Sequence, residues 1–243
     1  MDSISRRSFF GQATAGLAAL AALGTAVNAE AAPASLPPFL YTPVDWKMAE
    51  FNQLLKHPAR AKQLYDVVGI NNGAFLAHIK NSLDGLQLGF GIPADQIKIV
   101  SATHGPSNLL NFDDYIWEKY QIGAGLKIDD PKTGKPATRN IFYESLHGNP
   151  PVYASKDPNN PASLYHDTSI QALQRRGVQF LSCHLATESQ ALALIHIHKL
   201  TLTQQEVVKE LQKHILPGVL IVPSMVAAIA MLQNEGNFAY TTI

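Results

Sequence analysis

The chain contains one cysteine, Cys183, and the next residue is His184. A lone thiol forms no intramolecular disulfide and belongs to no multi-cysteine zinc or iron–sulfur site. It is either buried filler or a reactive group. As a thiolate it is a nucleophile that can attack and carry sulfur. His104 opens the run His104-Gly105-Pro106, where an imidazole can act as a base or a hydrogen-bond donor, or simply as a turn residue bonded to its own backbone. His196 and His198 do not read as a metal pair, because residues two apart on a helix face different ways. With Lys199 they read as cations of a helix C-terminus, as does His214 beside Lys213. A mononuclear metal site built from Cys183, His184, His104 or His147 has no tight ligand spacing to support it. The chain has no Gly-x-Gly-x-x-Gly, Walker, haem-attachment or Gly-x-Ser-x-Gly motif.

The elements that must position these residues alternate. Strands are expected over 62–68, 97–103, 178–182, 219–222 and 238–242, from their β-branched and apolar runs. Helices are expected between them. Phe75, Ile79, Leu83, Leu86 and Phe90 recur at helical steps, and Gly91 and Pro93 end that stripe. Further helices are expected over 45–56, from a cap at Asn111, over 167–176 and over 185–199. Another begins at the capping box Thr203-Gln204-Gln205-Glu206, and a last one is capped by Ser224. Strands separated by helices predict a three-layer α/β/α sandwich with a mostly parallel, five-stranded sheet. Ligands of such sheets bind beyond the carboxyl ends of the strands. Those ends are Asn71-Asn72-Gly73, His104-Gly105-Pro106, Cys183-His184 and Pro223-Ser224. The expected site therefore has Cys183 as the reacting residue and Asn71, Asn72, His104, His184 and Ser224 as its pocket. Amides of residues 184–186, at a helix start, are expected to favour the thiolate.

Three domain-level segments frame that core. Residues 1–31 read as a twin-arginine signal peptide. Ser5-Arg6-Arg7-Ser8-Phe9-Phe10 precedes an Ala-rich apolar run and small residues suited to cleavage. The run is short and rich in Gly and Ala for a membrane span, so cleavage leaving no stable span is expected, and the alternative is an uncleaved N-terminal anchor. Residues 32–60 form a Pro-rich leader and a short helix, and 61–243 form the α/β domain. Within it, 123–161 loses all periodicity, as expected of a functional flap, an oligomer arm or a mobile loop. Hydrophobic residues make up 46% of the chain, charged residues 16%, and the formal net charge is +0. That balance is globular, and without a basic face it excludes nucleic acid as the main partner.

Several stretches resemble the DsrE-like family. They are Gly177-Val178-Gln179-Phe180-Leu181-Ser182-Cys183, Leu216-Pro217-Gly218-Val219, Val222-Pro223-Ser224, Leu232 to Tyr240, and the strand from Ile99 to Pro106. The resemblance covers about residues 62–122 and 164–243. It implies a three-layer α/β fold, homo-oligomers and, for several members, a persulfide carried on a Cys during sulfur relay. The matching position is Cys183. Unlike typical relay members, this chain has an export signal, the leader, the 123–161 insertion and His184 after the thiol. The resulting expectation is an exported, periplasmic persulfide carrier or sulfurtransferase acting through Cys183. It would form a homo-oligomer, exchange sulfur with a donor or acceptor protein and need no cofactor. The alternatives are a non-catalytic module binding a small ligand or partner, and a metal or haem binder using Cys183 and His184.

Overall fold

β-Branched and apolar runs form the strands, and helical segments join them. The computed structural model describes residues 46–243, so the expected signal peptide and nearly all of the Pro-rich leader lie outside the described residues. Strand β1 is Ala61–Val67, β2 Ile97–Thr103, β3 Gln179–Cys183, β4 Leu220–Val222 and β5 Ala239–Thr242. They form one parallel sheet in the order β4-β3-β2-β1-β5. The helices are α1 (Met48–Leu55), α2 (Ala74–Asp84), α3 (Asp114–Lys119), α4 (Ile122–Leu126), α5 (Ile170–Arg175), α6 (His184–His198), α7 (Gln204–Lys213) and α8 (Met225–Asn234).

The handedness of parallel crossovers sorts these helices into layers. From β1 to β4 the chain advances one way across the sheet, so right-handed crossovers put their helices on one face. The final crossover runs back from β4 to β5, and the same hand puts α8 on the other face. Two apolar cores record this. Ile79, Trp117, Leu173, Leu194 and Leu211, from α2, α3, α5, α6 and α7, pack with Ile99 and Phe180. Leu54 of α1 and Ile229 and Leu232 of α8 pack with Leu64, Val100 and Leu181, and Cys183 belongs to this second core. The fold is therefore a three-layer α/β/α sandwich, with a sheet that is parallel throughout.

Some element ends differ from expectation. The stripe from Phe75 is buried through Leu83, but α2 ends at Asp84 and passes into a wider π turn at Gly85–Gly89, leaving Phe90 80% exposed. Glycines at 85 and 89 weaken a continuing α-helix there. Asn111 is not a cap. It is fully buried, and Asp113 caps α3 by accepting the Ile116 amide at 3.3 Å. Helix α5 starts later than expected, where Ser169 accepts the Ala172 amide at 3.1 Å.

The 123–161 insertion is anchored to the fold. It contains a two-residue antiparallel pairing, Asp129–Asp130 with Lys135–Pro136. Asn140 is buried, and its Nδ2 donates to the carbonyls of Leu110 and Phe112, both at 2.8 Å. Phe142 joins the larger core. A Cβ on Gly123 would lie 2.2 Å from the Ala137 carbonyl oxygen, so the two backbones approach closely there. Among the described residues, no helix is long and apolar enough to cross a membrane.

Candidate functional site

Beyond the carboxyl ends of β2, β3 and β4 the surface opens into a cavity of about 490 Å³. Cys183, Ser224, Met225 and Val226 form one side. His104, Gly105 and Pro106 form another, and α6 contributes Leu185, Ala186, Ser189, Gln190 and Ala193. Three of the expected residues, Cys183, His104 and Ser224, thus meet around one space. The walls are mainly apolar, and among the described residues no lysine or arginine lines them.

Cys183 ends β3 and is 5% exposed. Its Sγ accepts the backbone N–H of Met225 at 3.4 Å. Met225 opens α8, whose N-terminal amides carry partial positive charge. Ser224 occupies the N-cap position but makes no side-chain cap bond. The sulfur takes a first-turn amide that would otherwise be orphaned. This corrects the expectation for residues 184–186: the amide on the sulfur comes from α8, across the face that Cys183 shares with that helix.

A buried amide fixes the cysteine backbone. Oδ1 of Asn108 accepts the Cys183 amide and the Ser182 hydroxyl, each at 2.9 Å. Its Nδ2 donates to Thr187 Oγ1 at 3.1 Å and Gln190 Oε1 at 2.9 Å. Gln190 in turn donates to the Gly105 carbonyl at 2.8 Å, and Thr187 to the Cys183 carbonyl at 3.1 Å. The His104-Gly105-Pro106 turn, the end of β3 and the start of α6 are therefore tied into one unit.

His104 has extended backbone, and its ring engages a carboxylate rather than its own main chain. Nε2 lies 2.7 Å from Asp66 Oδ1. The other oxygen of Asp66 accepts the Tyr240 hydroxyl at 2.5 Å, and this bond pushes the Tyr240 phenol above its ordinary pKa.

His184 does not join the pocket. It is 1% exposed, with Nδ1 at 2.9 Å from Gln212 Nε2 of α7 and Nε2 at 3.1 Å from Glu188, and Trp46 meets its ring edge-on. Burial pulls its pKa below the ordinary value, against the opposing pull of Glu188. The reason for the miss is local: β3 gives way to α6 between residues 183 and 184, so the two neighbours take different directions. The two ring nitrogens of His184 are engaged by Glu188 and Gln212, neither of which lines the cavity that Cys183 faces. Among the described residues, no group of three or more His, Cys, Asp or Glu side chains is arranged to hold a metal ion.

Asn71 and Asn72 are exposed and lie outside the cavity wall. Both have positive φ, 43° and 50°, a conformation that asparagine tolerates better than most side chains. They lead the chain into α2. The residues of the candidate site that the sequence did not single out are Asp66, Asn108, Gln190, Met225 and Tyr240. A signal existed for two residues of the polar unit: Thr187 and Gln190 share helical spacing with buried Ala191 and Leu194, so that face had to hold a satisfied polar pair. Comparison with protein-family models, with curated proteins and with solved structures found no match for this chain.

Proposed function

We propose that this chain is an exported, DsrE-like, homo-oligomeric protein that accepts and donates sulfane sulfur as a persulfide on Cys183. The observation that supports this best is the Cys183 sulfur on the wall of an open cavity, with the first amide of α8 directed at it. A helix-end amide is better matched to a thiolate or a persulfide anion than to a neutral filler group. In the loading step Sγ attacks the outer sulfur of a donor R–S–SH. The Sγ–S bond forms, the donor S–S bond breaks, and its electron pair leaves with RS⁻. The product is Cys183–S–SH, with no net change in oxidation level.

The walls also indicate the donor. They are largely apolar and, among the described residues, offer no lysine or arginine to a dianion, so an organic persulfide, which carries at most one negative charge and an apolar group, fits better than thiosulfate. The test is to incubate the reduced protein with benzyl persulfide or with thiosulfate and to follow intact mass. The expected result is a gain of about 32 Da, one sulfur atom, faster with the organic donor and absent from Cys183→Ser. Equal gains in wild type and Cys183→Ser would overturn the carrier role, and faster loading from thiosulfate would overturn the donor class.

A second reading is favoured by the cavity itself. Its size and apolar walls suit a small-molecule site, which would make the protein a binding module. In that case Cys183→Ala leaves ligand binding intact, and neither sulfur donor adds mass.

A further inference from the structure

We infer that His104 is the proton-transfer group of the Cys183 cavity and that Asp66, itself held by Tyr240, is its positioning residue. This inference rests on the sulfur-carrying reading. Its first support is register. The His104 amide donates to the Val67 carbonyl at 3.1 Å, so the path of β2 continues one residue past Thr103. Thr103 stands opposite Ser182, so the next row brings His104 beside Cys183, on strands about 4.8 Å apart. Asp66 pairs with Ala102, and Ala102 with Leu181. His104 and Cys183 each lie two residues farther on. Strand alternation therefore puts Asp66, His104 and Cys183 on one face of the sheet.

The second support is the carboxylate. An ionised Asp66 can only accept, so Nε2 of His104 carries the hydrogen at the 2.7 Å contact and Nδ1 keeps its lone pair. With Oδ1 on His104 and Oδ2 on Tyr240, both oxygens of Asp66 are engaged and the ring is held in one orientation. The third is shared space, since His104 and Cys183 line the same cavity.

In the reaction, His104 Nδ1 takes the thiol proton as Cys183 Sγ attacks the sulfane sulfur of R–S–SH. The donor S–S bond breaks, and the imidazolium returns that proton to the departing RS⁻. The products are Cys183–S–SH and R–SH.

Loading rates with benzyl persulfide, followed by mass spectrometry, test the inference. His104→Ala is expected to load about 100-fold more slowly or worse, the usual scale for a lost general acid–base, and added imidazole is expected to restore much of the rate. His104→Gln retains a donor for Asp66 but transfers no proton, so it is expected to be equally slow, which separates chemistry from a folding defect. Asp66→Asn is expected to slow wild type and to add nothing in the His104→Ala background. Wild-type rates in the His104 variants, slow His104→Ala that imidazole leaves slow, or an undiminished Asp66→Asn effect without His104 would overturn the inference while wild type still loads. No loading in wild type would instead overturn the carrier reading beneath it.

Discussion

Asn108 shows how much of the site depends on one buried amide. Both of its donor hydrogens and its carbonyl oxygen are used, and the partners span the end of β3 and the first two turns of α6. Truncation leaves the Cys183 amide, the Ser182 hydroxyl and two α6 side chains without their partner. A buried group stripped of its hydrogen bond costs about 1–3 kcal/mol, so Asn108→Ala is expected to lose on the order of 3 kcal/mol in urea unfolding. A loss below about 0.5 kcal/mol, the ordinary range of surface substitutions, would contradict the arrangement. Nothing local in the sequence marks this asparagine, because its partner in β3 is 75 residues away. Asp66 was unreadable for the same reason: it meets His104 across 38 residues.

At the scale of elements, the α6–α7 contact carries a pH dependence through His184. Burial lowers its pKa, so the folded protein protonates the imidazole only at a lower pH than the unfolded chain does. Below the ordinary histidine pKa of about 6.5, unfolding takes up a proton, and stability falls as pH falls. Above that range both states are neutral and the contribution is constant. Wild type is therefore expected to lose more stability than His184→Gln between about pH 8 and about pH 5, in matched urea titrations. Equal losses would show that His184 is not the group responsible. Elements governed by local signals were readable from the chain. The capping box of α7 is present, with Thr203 and Glu206 bonded reciprocally at 2.7 Å and 3.3 Å. The end of α2 and the packing of 123–161 were not, because they depend on a π turn and on Asn140 reaching the 110–112 backbone.

At the scale of the whole molecule, chain handedness brings the chemistry together. One crossover returns across the sheet, and it alone delivers α8 to the face on which Cys183 stands. The helix starts at the carboxyl end of β4, one strand from Cys183, so its first amide reaches the sulfur. The rim itself was readable in the sequence, since a parallel sheet and the expected strand ends put Cys183, His104 and Ser224 at one edge; their adjacency follows from the strand order seen in the structure. Which helix serves the thiol was not, because that depends on the layer α8 occupies. The central claim is that Cys183 carries sulfur in this cavity. It is tested most directly by treating the protein with benzyl persulfide, trapping with an alkylating reagent and sequencing the Cys183 peptide by mass spectrometry. The account predicts an alkylated persulfide, one additional sulfur of about 32 Da, on Cys183 itself. A Cys183 peptide bearing only the alkylated thiol would contradict it.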